Sequence, residues 1–170
     1  MKTSFVAGLL LVVLSLPISA NSAAGRPAIP VGAVGVVEIN QVQEGNLVYL
    51  KGMKGEGRYI TRNQAGELCE IAPVPFLAGG FNGRDVSLLQ RGPILLSVYN
   101  TAIDEQLRFG KEVTSQDAHI GLDDGEADMV IASGLSLDDH FILNPRPVWS
   151  SWWRLSLVRK DCEPLSPDVQ

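Results

Sequence analysis

Histidine and cysteine are scarce in this 170-residue chain, which has two of each: His119 and His140, Cys69 and Cys162. Two imidazoles without the local spacing that sets a pair on one ion do not make a metal centre. His119 beside Asp123 and Asp124, and His140 beside Asp138 and Asp139, sit among turn residues where solvated carboxylates are common. No metal and no other cofactor is expected. There is no Asn-x-Ser/Thr acceptor for N-glycosylation, and Ser133-Gly134 lacks the Gly-x-Ser-x-Gly setting of a nucleophile elbow. Basic residues are outnumbered, 14 against 19 acidic, for a net charge of −5. That balance argues against nucleic acid or anionic lipid as a partner, since both demand a basic face.

Long apolar runs are also lacking, with one exception at the start. Met1 to Ser4 carries a single positive charge, and Phe5 to Leu16 then runs without any. A run of about a dozen apolar residues is shorter than the roughly 20 that span a bilayer, and has the form of a secretory signal. Pro17 follows, and the small residues Ala20 and Ala24 both offer cleavage points, with Ala24 preferred. The expected organisation is a signal peptide over 1–24, a flexible segment over 25–33, one β domain over 34–163 and a tail over 164–170. The mature chain is expected to be secreted and extracellular, with no membrane attachment after cleavage. In an oxidising compartment Cys69 and Cys162 are expected to pair; the alternative is two buried thiols that never meet.

What fills the mature chain is a series of short apolar or alternating runs cut by turn residues. Strands are expected over Val34 to Ile39, Leu47 to Met53, Arg58 to Thr61, Leu68 to Ala72, Val86 to Leu89 and Ile94 to Tyr99. Further candidates are Gln106 to Phe109, His119 to Leu122, Ala127 to Ala132, His140 to Leu143 and Trp152 to Val158. Asn82-Gly83 and Asp124-Gly125 are hairpin-turn dipeptides, and Gly45-Asn46, Gly55-Glu56-Gly57, Ala65-Gly66 and Gly79-Gly80 mark other bends. The fold class expected is all-β: a single domain, β-trefoil-like or a small β-barrel. One helix competes with the strand reading, over Thr101 to Phe109, with Asn100 or Thr101 as cap and Ile103 and Leu107 on one face.

Two segments draw attention as sites. Trp149, Trp152, Trp153 and Arg154 form the most unusual local cluster. Such aromatics either stack on sugar rings and protein surfaces or, as large side chains more often do, pack in a core. The second segment comes from a resemblance. Val36 to Asn40, then Tyr49 to Gly57, then Cys69-Glu70 resemble the opening of plant Kunitz-type (soybean trypsin inhibitor-like) proteins. Gly92 to Tyr99 and Glu105 to Phe109 look like the strands flanking that family's inhibitory loop. His140 to Leu143 and Trp153 to Val158, ending near Cys162, are similar to its later strand pair. The family's second cysteine with its following Trp is missing between Lys111 and Gly134, and the chain stops near where a third trefoil repeat would begin.

The resemblance implies a rigid, extended loop presented to a protease cleft, here Tyr99, Asn100, Thr101, Ala102, Ile103 and Asp104, with Ala102 or Ile103 entering a small apolar pocket. Lys and Arg are absent from it, which makes trypsin a poor target. The expected function is therefore a secreted binding protein, inhibitor-like and not an enzyme, whose partner is an extracellular protease or other secreted enzyme. The alternative is a carbohydrate- or small-ligand-binding β domain that uses the Trp cluster. Oligomeric state is not legible.

Overall fold

The structure, a computed structural model, describes residues 28–81, 86–123, 125–146 and 162–165. The expected signal peptide, the expected turn at Asn82-Gly83, Asp124 and the Trp-bearing segment fall outside these residues. Three 13-residue strands, β1 (Gly35–Leu47), β2 (Leu50–Arg62) and β3 (Leu68–Gly80), form an antiparallel meander. Shorter elements follow: β4 (Ser87–Gln90), β5 (Ile94–Val98), α1 (Thr101–Arg108), β6 (Val113–Thr114), β7 (Ile120–Gly121), β8 (Met129–Ser133), β9 (His140–Leu143) and β10 (Glu163–Pro164).

All the described strands belong to one sheet, ordered β6-β9-β3-β2-β1-β5-β8-β7, with β4 also beside β1 and β10 also beside β3. Each outer strand of the meander changes partner along its length. The first half of β1 pairs with β5 and the second with β4, while β3 pairs first with β10 and then with β9. A sheet whose strands switch neighbours in this way curls, and the result is a half-barrel. The all-β expectation is met in this form.

Alternation along the strands puts one face inside. Val37, Ile39, Tyr59, Ile71, Phe76, Leu96, Phe141 and Leu143 are buried in one apolar cluster. The rings of Phe76 and Phe141 lie 6.4 Å apart between centroids. β1 and β2 each carry an irregularity, at Asn40/Gln43 and Gly57/Tyr59, which bends the sheet round that core.

Three of the expected bends are not bends. Gly45-Asn46, Gly55-Glu56-Gly57 and Gly79-Gly80 lie within β1, β2 and β3. At Gly57 the reason is close approach: a Cβ there would sit 1.9 Å from the Glu38 carbonyl oxygen, so no larger residue fits the strand crossing. The first hairpin turns instead at Val48-Tyr49, between paired Leu47 and Leu50, inside the segment expected to be one strand. Gly66, at φ 81°, does make the next turn, at the Ala65-Gly66 expected there.

The segment over Gln106 to Phe109 is helical rather than extended. In α1 the Asn100 side chain accepts a hydrogen bond from the Ala102 N–H at 2.7 Å, and Ile103 and Leu107 face the core. The two cysteines pair, Cys69 with Cys162, with Cα atoms 5.3 Å apart and a sequence separation of 93. A cross-link closing so long a loop stabilises a fold by about 4 kcal/mol in the chain-entropy view. It also fits an extracellular, oxidising environment. Among the described residues no helix is long and apolar enough to cross a membrane.

Candidate functional site

The segment Tyr99 to Asp104 is held down. The backbone N–H groups of Tyr99 and Asn100 both donate to the Asp128 carbonyl, at 2.9 and 3.2 Å, and the Asn100 amide donates to the Asp128 carboxylate at 2.6 Å. That contact, with the His119 backbone N–H, keeps the Asp128 carboxyl below the usual range. Thr101 to Asp104 form the first turn of α1. Ile103 is buried in the core, and Asp104 accepts hydrogen bonds from Tyr59 Oη at 2.6 Å, Thr61 Oγ1 at 3.2 Å and Arg108 Nε at 2.8 Å. Burial, and then the facing Asp104 carboxylate, push the Tyr59 phenol well above its ordinary pKa. A helical turn with its apolar residue inward cannot lie in a protease cleft as an extended strand would. The segment expected as an extended loop is thus helical from Thr101 on, with Ile103 turned into the core and Ala102 left exposed.

Trp149, Trp152, Trp153 and Arg154 lie outside the described residues. His119 and His140 are both exposed, and the His119 ring contacts the Glu126 carbonyl oxygen at 3.1 Å. Among the described residues no group of three or more His, Cys, Asp or Glu side chains is placed to hold a metal ion.

The feature that the sequence did not flag is the far end of the meander. The hairpin residues Leu47, Val48, Tyr49 and Leu50 are all exposed, Tyr49 to 77%, as are Phe81 at the end of β3 and Val86, Leu88 and Leu89 around β4. An open cleft of about 820 Å³ lies among them, with Gly45, Gly52 and Gly79 in its lining. Those three glycines stand directly opposite one another in adjacent strands, with Leu88 next in the same row beyond Gly45 and His140 beyond Gly79. A Cβ at Gly45 or Gly52 would meet no atom within 4 Å. At Gly45 and Gly52 packing does not demand glycine, whereas a Cβ at Gly79 would sit 3.3 Å from the Lys51 carbonyl oxygen.

The opposite face of the same strands carries charge, and all of it is neutralised. Glu44, 2% exposed, accepts from Arg91 Nε at 2.6 Å and from the Asn46 amide at 2.9 Å; Asn46 also reaches Ser87 Oγ at 3.1 Å. Lys51 Nζ lies 3.0 and 3.1 Å from the two oxygens of Asp139, itself 3% exposed, and 4.0 Å from Glu44. Ser136 adds its N–H and hydroxyl to Asp139 at 3.1 and 2.9 Å. The Arg91 hydrogen bond foremost, against the pull of burial, holds Glu44 below the usual carboxylate range. For Asp139 burial pulls upward, but Lys51 and Ser136 together outweigh it and its pKa is also lowered. The network joins β1, β2, the residue after β4 and the turn before β9, so it fixes the base of the apolar end.

Chemically the arrangement is a largely apolar surface with a recess in it, whose lining cation, Lys51, is neutralised by Asp139. Its polar groups are engaged with one another, and nothing in it sets a nucleophile beside a base. No family, no curated protein and no solved structure matches the chain.

Proposed function

We propose that this is an exported binding protein that grips another secreted protein without transforming it, and that it does so with the apolar end of the meander. The observation that carries this reading is the gathering of Leu47, Leu50, Phe81, Val86 and Leu88 around one cleft, all of them exposed, with Tyr49 exposed in the adjoining hairpin turn. Soluble proteins rarely leave more than a few hundred Å² of contiguous apolar surface open without a use for it. The buried ion network below keeps that surface pre-formed, so little ordering entropy is lost when a partner lands. A signal-like N-terminus and the Cys69–Cys162 bond support an extracellular setting.

An extracellular protease or other secreted enzyme is the partner class, as the short stretches similar to Kunitz-type inhibitors suggest. The contact surface in this reading is the hairpin end and not Tyr99 to Asp104. The test is titration of the exported protein against trypsin-, elastase-, subtilisin- and papain-like proteases. Inhibition of at least one at micromolar excess is expected, together with its loss in Phe81→Ser and its persistence in Thr101→Ala. Full activity of all four classes at that excess removes proteases as the partner. Inhibition that survives Phe81→Ser but not Thr101→Ala returns the contact to α1.

A further inference from the structure

The apolar end has the properties of a surface that meets a copy of itself. Its area is of the right scale. Tyr49 and Phe81, 77% and 86% exposed, present on the order of 300 Å² between them. Four aliphatic side chains that line the cleft with Phe81, namely Leu47, Leu50, Val86 and Leu88, are 51% to 79% exposed. The whole approaches one partner's share of a standard stable interface, about 800 Å².

Shape and charge point the same way. An isologous interface needs the same patch on both subunits to be self-complementary, so one patch must carry both knob and hole. Here Phe81, which lines the cleft of about 820 Å³, and Tyr49 in the adjoining hairpin turn carry exposed rings, and the cleft is floored by the row Gly45, Gly52 and Gly79. Glycine in a strand is where another group can approach the backbone closely. Among the described residues lining the cleft only Lys51 carries a formal charge, and it is paired with Asp139 at 3.0 Å. Two copies can therefore meet there without opposing like charges. Lys51 and Arg91 are engaged by Asp139 and Glu44, which leaves them poorly placed to hold an anionic lipid headgroup.

We infer that in the free protein a second copy covers this end, each subunit setting the exposed ring of Phe81 or Tyr49 into the glycine-floored cleft of the other about a two-fold axis. The partner of the proposed function would compete with the second copy for the same face. Self-association is read without any protease present, so the two proposals fail separately.

Sedimentation velocity on the exported protein from 1 to 100 μM tests it. A monomer–dimer equilibrium is expected within that range. Tyr49→Ser and Leu88→Lys, both at exposed positions, are each expected to shift the midpoint at least tenfold toward monomer while leaving circular dichroism, and the thermal transition of the dilute monomer, unchanged. Gly52→Ala, which fills the floor, is expected to weaken the dimer in the same direction. A monomer throughout the range overturns the inference, and co-sedimentation of that monomer with phosphatidylcholine vesicles would reassign the face to a membrane. A dimer indifferent to all three substitutions places the contact elsewhere and overturns it equally.

Discussion

The two ends of the three-stranded meander are built from the same residue types to opposite purposes. At the end near α1, glycine is compulsory: a Cβ on Gly35 would fall 2.4 Å from the Tyr59 hydroxyl, and one on Gly57 within 1.9 Å of a backbone oxygen. There the charged groups Asp104 and Arg108 tie α1 to β2, and the large apolar side chains Tyr59 and Ile60 are buried. At the hairpin end glycine is optional and the large apolar side chains are outside. The charged groups form the base under an open surface. Where packing explains a glycine, the residue speaks of the fold. Where it does not, it speaks of what comes next to the fold.

The largest break in this comparison is expected at Gly57. Alanine there forces the β1–β2 crossing apart, and overpacking of this kind costs typically 1 to 3 kcal/mol, here at or beyond the upper end because the obstacle is backbone. Urea unfolding of Gly57→Ala is expected to show a loss of about 3 kcal/mol. A change below about 0.5 kcal/mol would mean that the crossing relaxes freely and that the two ends do not differ in this respect.

Much of the near end was legible in the sequence, and much of the far end was not. The helix over Thr101–Arg108 was announced by Asn100 as cap and by the spacing of Ile103 and Leu107, since both signals are local. β9 coincides with the expected run His140 to Leu143, and the Cys69–Cys162 bond was the natural expectation for a chain read as exported. The same local reading failed at Gly45, Gly55 and Gly79. Punctuation rules treat glycine as a turn, and only the neighbouring strand reveals whether it is a turn, a close crossing or an open floor. The apolar end escaped notice for a related reason. Leu47 to Leu50 looks like any strand in sequence, and its exposure depends on the turn at Val48-Tyr49 and on β4 arriving beside β1. The Lys51–Asp139 pair spans 88 residues and leaves no trace in spacing.

An effect of intermediate size is expected from that pair. Removing one member of a buried ion pair leaves the other uncompensated, which is costly, about 3 kcal/mol where the site is dry. Lys51 keeps a little solvent contact, its side chain being 12% exposed, so Asp139→Asn is expected to cost about 2 kcal/mol. The pH dependence follows from the direction of the shifts. Asp139 and Glu44 have folded pKa values below their unfolded ones. Their contribution is therefore complete above the ordinary carboxylate range and is lost as pH falls through that range and on through the lowered folded values. Stability measured from pH 7 down to 2 should fall on the acid side, less steeply in Asp139→Asn. Parallel curves for the two proteins would show that the network beneath the apolar end contributes nothing to acid unfolding.

The smallest expected effect is the most informative, because its sign is opposite. Gly52 lies mid-strand with open space where a Cβ would point, and glycine in a strand is disfavoured against alanine by roughly 0.5 to 1 kcal/mol. Gly52→Ala and Gly45→Ala should therefore each raise the unfolding midpoint slightly, while Gly57→Ala lowers it strongly. If both stabilise the isolated chain, the glycine floor is retained at a cost to the fold, and the reason for it lies in whatever approaches the strands from outside. If either destabilises by more than about 1 kcal/mol, the row is part of the sheet's own geometry, and the contrast between the two ends disappears.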